Sequence, residues 1–418
     1  QMRELLKNVI LDQKELHWDQ ENIYRDFSSS ALGNSLIVVI SGIRRCGKST
    51  LLQQIRKTRT ENDYYINFDD DRLIHFKTEH FQLLYELFIE LFGEQKTFYF
   101  DEIQNITGWE RFVRRLHDNG NKIFLTGSNA TMLSRELGTH LTGRYIQIEL
   151  FPFSFREFLS YKKVDTSHEA IHTTKGKAII KRHFNDYLKN GGLPLYVRFK
   201  QTEYLKSMTD SIIYRDVMVR NQLTHEKELM ELLYHLATNT TKQTTNNALA
   251  RSIGVKSPTT IKNYIAYIEN TYLLFTLNQF DFSTKKQIYS PKKIYFIDNA
   301  LVQTLGFLFS ENTGRLLENL VFLALRREHE EIFYHQNKKE CDFIVKNGLQ
   351  ITRAIQVSYE TTSEKTKKRE IEGLLEAMQT YDLDSGIILT GNEEEELQID
   401  QKAIQIIPVW KWLLEVNT

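Results

Sequence analysis

Ser35-Leu-Ile-Val-Val-Ile-Ser-Gly-Ile-Arg-Arg-Cys-Gly-Lys-Ser-Thr50, running on into Leu51-Leu-Gln-Gln-Ile-Arg56, is the stretch that decides the fold. Ser35 to Ile40 is an apolar, β-branched run that reads as a buried strand, and Leu51 onward reads as a helix. Between them, Gly42-x-x-x-x-Gly47-Lys48-Ser49 fits the phosphate-binding loop pattern. Glycines let the backbone curl so that its N–H groups face a phosphate, and the helix N-terminus adds the positive end of its dipole. In such a loop Lys48 reaches the β- and γ-phosphates and Ser49 holds Mg²⁺. The expectation is a nucleoside triphosphate site with Mg²⁺, built from Gly42, Arg45, Cys46, Gly47, Lys48, Ser49 and Thr50, in which the Cys46 side chain is incidental.

Working outward, Thr97-Phe-Tyr-Phe-Asp-Glu-Ile103 is an apolar strand ending in two carboxylates. At the end of a strand beside a phosphate loop, Asp101 binds Mg²⁺ through water, and Glu102 polarises a water aimed at the γ-phosphate. A solvated strand exit is the competing reading of Asp-Glu, and the preceding loop favours the catalytic one. Lys122-Ile-Phe-Leu-Thr-Gly-Ser-Asn129 is a further strand, whose Ser128 or Asn129 is placed either to hydrogen-bond the γ-phosphate or simply to turn the chain. Arg144, after Gly143, is either a surface residue or a charge that neutralises the transition state in its own or a neighbouring site. Strands near 35–40, 63–68, 97–101, 122–126 and 145–150 alternate with helical stretches, which is the mark of an α/β fold with a parallel sheet. Asp69-Asp-Asp71 reads as a solvated exit from the second strand, with carboxylates close to the nucleotide as the alternative.

These blocks carry a family resemblance. The Gly-x-Arg-Arg-x-Gly-Lys-Ser loop, Tyr65-Ile-Asn-Phe-Asp-Asp70, Phe100-Asp-Glu-Ile-Gln104, Leu125-Thr-Gly-Ser-Asn129, Leu141-Thr-Gly-Arg144 and Phe151-Pro-Phe-Ser-Phe-Arg-Glu-Phe158 occur in one order. Together with Asn190-Gly-Gly-Leu-Pro194 and Tyr214-Arg-Asp216, they make the chain resemble the bacterial and archaeal AAA-type ATPases that carry a poorly understood C-terminal domain. The resemblance covers nearly the whole chain. It implies ATP binding and a nucleotide site at Gly42, Gly47, Lys48, Ser49, Thr50, Asp101 and Glu102.

Length and composition agree. A chain of 418 residues suggests two or three domains, here 1–160 (phosphate-loop ATPase), 161–298 (helical linker and winged-helix segment) and 299–418 (small α/β domain). No apolar run approaches the roughly 20 residues of a membrane span, and no secretory signal is read at the N-terminus. Two cysteines far apart, Cys46 and Cys341, argue against a disulfide scaffold or a zinc site, and a cytoplasmic location is expected. Lys+Arg and Asp+Glu both number 54, so net charge does not point to nucleic acid, although a neutral chain can carry a local basic face.

Residues 161–178, rich in Lys, Thr, Ser and His, read as a polar linker, with His168 and His172 on one helix face at the surface. Leu229–Ala237 and Thr245–Ile253 read as helices, and a third opens at Ser257-Pro258, with Ile261, Tyr264, Ile265 and Ile268 as its buried stripe. With strands at 273–278 and 293–297 as a wing, this is the outline of a winged helix. Double-stranded DNA would meet Thr259, Lys262 and Asn263, with Lys256 and Arg251 near phosphates; a lid or protein contact is the alternative use.

The last region resembles the PD-(D/E)XK nuclease core: a helix carrying Glu318, a hairpin carrying Asp342, then Arg353-Ala-Ile-Gln-Val-Ser358. Matched to that motif, Glu318 and Asp342 are present as a vestigial metal pair, but Gln356 stands at the last acid and Ser358 at the lysine. Gln is a weak neutral ligand and Ser carries no positive charge, so the domain reads as nuclease-like in shape and inactive. Salt bridges to Lys338, Lys339 or Arg353 are the other account of the two acids. Glu393–Glu396 reads as a solvated loop, and Val409–Leu414 as amphipathic core packing. The functional expectation is Mg²⁺-dependent ATP hydrolysis coupled to rearrangement of the C-terminal domains, acting on nucleic acid. The alternatives are an ATP-gated metal-dependent nuclease and an ATP-binding switch with a protein partner.

Overall fold

The computed structural model describes residues 1–15, 25–27, 32–129, 138, 141–307, 312–328 and 331–415. The chain forms two compact units, one of residues 1–151 with 270–272 and one of residues 152–269 with 273–418.

The first unit is built on five parallel strands: β1 (Ile37–Ser41), β2 (Tyr64–Asn67), β3 (Thr97–Asp101), β4 (Lys122–Gly127) and β5 (Tyr145–Glu149), in the order β2-β3-β4-β1-β5. β1 is buried at every position because it is paired on both edges and covered on both faces, which is why its sequence is a continuous apolar run rather than an alternation. Helices Met2–Glu15, Lys48–Thr58, Phe81–Phe92 and Trp109–Asp118 belong to the same unit. Its core is aromatic: Tyr64 stacks on Phe88 at 4.7 Å and Phe81 on Phe112 at 4.6 Å. Each such buried ring contributes about 1.5–3 kcal/mol. The Asp69–Asp71 stretch is not simply a solvated exit, because Asp70 caps the turn Asp71–Leu73 through the Arg72 N–H and is held well below the usual carboxylate range by the Arg72 guanidinium.

The second unit begins with helices. Residues 161–178 are not a linker, since helices His168–His172 and Thr174–Asn190 run through them. The hydroxyls of Ser167 and Thr173 accept from the Ala170 and Gly176 N–H groups at 3.3 and 3.1 Å, so the polar residues that suggested a linker act as helix caps. His168 and His172 share an exposed face, with rings 4.3 Å apart. At Asn190-Gly-Gly-Leu-Pro194 the buried Asp298 carboxylate accepts from the N–H groups of Gly192 (2.7 Å) and Leu193 (3.1 Å). A Cβ at Gly191, which has φ +65°, would lie 1.8 Å from Asp298 Oδ1, so only glycine fits there.

Helix Glu226–Thr238, β6 (Gln243–Thr244), helices Asn246–Ile253 and Pro258–Glu269, β7 (Leu274–Asn278) and β8 (Lys292–Phe296) follow, with the three strands in the order β6-β8-β7. Gly254 at φ +81° ends the shorter helix, and the Ser257 hydroxyl accepts from the Thr259 N–H at 3.2 Å to open the next. The remainder is a six-stranded mixed sheet, β13-β14-β12-β11-β10-β9, of β9 (Ile332–Gln336), β10 (Glu340–Asn347), β11 (Gln350–Val357), β12 (Ser385–Thr390), β13 (Glu395–Ile399) and β14 (Lys402–Pro408). Helix Glu364–Thr380 sends Leu374, Ala377 and Met378 into the core that it shares with this sheet. Glu395 and Glu396 are not loop residues: they open β13, where Leu397 and Ile399 pack on that core and the glutamates face out. Helix Val409–Glu415 buries Val409, Trp410, Trp412 and Leu414.

Candidate functional site

In the first unit the carboxyl ends of β1, β3 and β4 converge, the edge at which parallel α/β sheets bind ligands. β1 ends in the glycine loop. Gly42 (φ +151°) passes so close to Leu150 that a Cβ would lie 2.3 Å from its carbonyl oxygen, and Gly47 (φ +102°) leads into helix Lys48–Thr58. The Cys46 thiol is buried and donates to the Leu150 carbonyl, whereas Arg45 is exposed at φ +63° and Ser49 and Thr50 are half-buried.

The Lys48 ammonium is 3% exposed and lies 3.2 Å from Glu102 Oε1 and 3.2 Å from the Ile43 carbonyl oxygen. Burial works against the charge, but Glu102 and its neighbours outweigh it and hold the ammonium above its ordinary pKa. Asp101, fully buried at the end of β3, is pushed up to about 6 by burial and by Glu102, while hydrogen bonds from Thr126 and Ser49 oppose that rise. The Tyr65 hydroxyl also donates to Asp101, at 3.2 Å. Glu102 adopts the left-handed conformation, φ +50°, which turns its carboxylate away from the strand direction. A non-glycine residue held there costs of order 1–3 kcal/mol, a kind of strain that clusters at functional sites. Burial pushes the Glu102 carboxyl up, but Lys48, Gln104 and Arg44 bring it below its ordinary value, so it stays ionised.

Thr126 and Gln104 join the strand ends. The Thr126 hydroxyl donates to Asp101 and accepts from the Glu102 N–H at 2.8 Å. Gln104 Nε2 donates to Glu102 at 2.5 Å and to Ser128 Oγ at 3.3 Å, while its Oε1 is buried without a hydrogen-bond partner among the described residues. Ser128 and Asn129 are buried at the end of β4. Arg144 is elsewhere. It immediately precedes β5, its carbonyl accepts from the Ile37 N–H at the start of β1, and its guanidinium pairs with Asp118 at 3.0 Å. That is the amino edge of the sheet, about 16 Å of strand from the glycine loop.

The second unit holds another buried lysine. Lys293 of β8 is 2% exposed, and its ammonium lies 3.1 Å from Glu318, 2.6 Å from Glu340 and 3.1 Å from Asp342. Burial would depress this amine, yet Glu318, Tyr295, Asp342 and Glu340 outweigh burial and raise it well above its ordinary pKa. The Tyr295 hydroxyl donates to Glu318 at 2.7 Å, and Asp342 accepts from the Val357 N–H at 3.0 Å. Gln356 bridges the Asp342 N–H and Glu370. The partner of Glu318 and Asp342 is therefore Lys293, not Lys338, Lys339 or Arg353. Together with Glu340, the two acids enclose the Lys293 ammonium, and no metal-binding group of three or more His, Cys, Asp or Glu occurs among the described residues.

An uncharacterized protein of Methanocaldococcus jannaschii is 37% identical over 430 residues, covering 98% of this chain and 95% of that one. An uncharacterized protein of Haemophilus influenzae is 32% identical over 396 residues, covering 91% and 94%. This chain belongs to their family. An AAA domain matches residues 34–159, and two domains of unknown function, DUF8612 and DUF4143, match 181–312 and 313–412. Among solved structures, the Walker-type ATPase of Pyrococcus abyssi covers 66% of this chain and 92% of its own at 16% identity and TM-score 0.41. The RuvB Holliday junction branch migration motor of Thermotoga maritima covers 57% and 81% at 15% identity and TM-score 0.29. The AAA match falls on the first unit, whose parallel sheet and glycine loop make it a phosphate-loop domain of the ATPase type.

In the second unit, Arg251, Lys256, Thr259, Lys262 and Asn263 are all exposed around helix Pro258–Glu269. No helix among the described residues is long and apolar enough to cross a membrane. Thr126, Gln104 and Lys293 were not singled out in the sequence. Gln104 and Thr126 lie inside the motif blocks and were accessible as polar residues at strand ends; Lys293 comes from a segment with no motif.

Proposed function

We propose that this protein is a Mg²⁺-dependent ATPase whose nucleotide cycle rearranges the C-terminal domains on duplex DNA. The observation that carries the reading is the Lys48 ammonium held between Glu102 and the Ile43 carbonyl, beside a buried Asp101. The residues fit the nucleotide and its metal. The glycine loop gives a cradle that no Cβ obstructs, Ser49 and Asp101 hydrogen-bond each other where Mg²⁺ would be held, and Gln104 Oε1 is a buried acceptor without a partner among the described residues. Bound Mg²⁺ would supply charge neutralisation at the phosphates. Arriving phosphates compete with Glu102 for Lys48, and the freed carboxylate, aimed by Gln104, can then orient a water. Arg144, on the far edge of its own sheet, suits a role in a neighbouring copy's site.

The succession helix, strand, helix, helix, strand, strand with order β6-β8-β7 supports a winged-helix reading, and the exposed Thr259, Lys262 and Asn263 with Lys256 support DNA as the partner. The nuclease-like reading of the C-terminal domain is kept for its shape only, because Lys293 fills its acidic set.

The test is ATP turnover by wild type, Lys48→Ala and Glu102→Gln, with and without double-stranded DNA. Turnover that DNA stimulates and both substitutions abolish is the expected result. Turnover indifferent to DNA removes the nucleic-acid part and favours a protein partner; its absence removes the ATPase.

A further inference from the structure

Beneath the glycine loop lies one charged side chain that no motif announces. Arg25 is 3% exposed, and its guanidinium donates from Nη1 to the Cys46 carbonyl and from Nη2 to the Phe151 carbonyl, each at 2.6 Å. Its backbone N–H donates to Gln54 Oε1 in helix Lys48–Thr58 at 3.2 Å. The fit is close: a Cβ on Gly47 would stand 2.9 Å from Arg25 Nη1.

The Cys46 carbonyl and the Gly47 N–H share one planar trans peptide, so they point in opposite directions. Whatever holds the carbonyl down turns the N–H up. We propose that Arg25 is a positioning residue for the phosphate loop: by fixing the Cys46 carbonyl, it presents the Gly47 N–H to the nucleotide's phosphates. The inference rests on the ATP-binding reading above and extends it to a residue outside the motif.

Two features make this more than a core hydrogen bond. Charged donors to buried carbonyls are the stronger class of hydrogen bond, and Arg25 uses two at once. One of them reaches Phe151, beside Leu150, which already receives the Cys46 thiol and nearly touches Gly42. The guanidinium therefore fastens the loop to the segment that forms its floor. Without it the Cys46–Gly47 peptide is free to rotate, and ATP must bear the cost of ordering it.

The experiment measures MgATP and MgADP affinity by calorimetry for wild type, Arg25→Met, Arg25→Lys and Lys48→Ala, with thermal unfolding of each protein alone. Arg25→Met should bind both nucleotides about tenfold more weakly or worse. Arg25→Lys, which keeps the charge but reaches one carbonyl at a time, should fall between it and wild type. Affinity within twofold of wild type in Arg25→Met, whatever its melting temperature, overturns the proposal by leaving Arg25 a purely structural stitch. If Arg25→Met does not fold, Arg25→Lys decides, and unchanged affinity there is equally fatal. A wild type that binds no MgATP fails the ATP-binding reading itself, a result distinguishable from the failure of Arg25.

Discussion

Among the described residues two lysines are buried against carboxylates, one in each unit, and the two sites differ in how many partners surround the ammonium. Lys48 has one carboxylate, Glu102, and one carbonyl, Ile43, and it sits at the mouth of a glycine loop. Lys293 has three carboxylates, Glu318, Glu340 and Asp342, within hydrogen-bonding reach. A buried ammonium must be compensated, and the amount of compensation decides its availability. Lys48 is held by a single carboxylate, so a triphosphate can displace Glu102 from it. Lys293 is surrounded by more negative charge than it carries, and nothing that approaches can improve on what it has. The first arrangement suits exchange, the second permanence.

The contrast can be broken by substitution. The largest effect is expected at Lys293. Its replacement by alanine leaves three acids facing one another, which should destabilise the second unit by about 3–5 kcal/mol in denaturant titrations while leaving ATP affinity unchanged. The loss should deepen as pH rises. Burial and Glu318 already push the Asp342 carboxyl well above its usual range, so without the lysine the folded state takes up protons that the unfolded chain does not, and stability falls from pH 6 to pH 8. Next is Lys48→Met, which should weaken MgATP binding about a hundredfold in calorimetry and leave the unfolding midpoint near that of wild type. A smaller effect sharpens the point: Lys293→Met combined with Glu318→Gln, Glu340→Gln and Asp342→Asn should recover stability to within about 2 kcal/mol of wild type, because a neutral set needs no cation. The smallest change is expected for Arg144→Ala, with ATP affinity altered less than about twofold, since Arg144 sits on the opposite edge of its sheet.

The same contrast explains what could be read from the sequence. The glycine loop, Asp101 and Glu102 were legible because a phosphate site is made of contiguous residues at strand ends, and the short apolar runs alternating with helical stretches around them placed the parallel sheet. Glu318 and Asp342 were legible as acids, but their partner was not. Lys293 lies between Lys292 and Ile294 in a strand like any other, and only the pairing of β8 with β7 and β6 turns it inward. Arg25 was hidden for the same reason, being brought to the loop by tertiary folding. The Ser and Thr of residues 161–178 misled because the same hydroxyls that mark loops also cap helices.

The order of strands in the second unit sets when it can fold. β14 lies inside its sheet between β12 and β13, although it comes from residues 402–408, and the helix that follows returns to helix Phe155–Tyr161 at the start of the unit, where Arg156 donates to the Leu414 carbonyl. A ribosome making this chain can release the five strands of the first unit as soon as residue 149 has emerged. The second unit must wait some 250 residues longer, its β12 edge open and its early helices half-covered, until the last strand slides into an interior slot. Trimming within β14 would not fray a margin; it would pull out a middle plank, and the nascent chain passes through that unplanked state each time it is made.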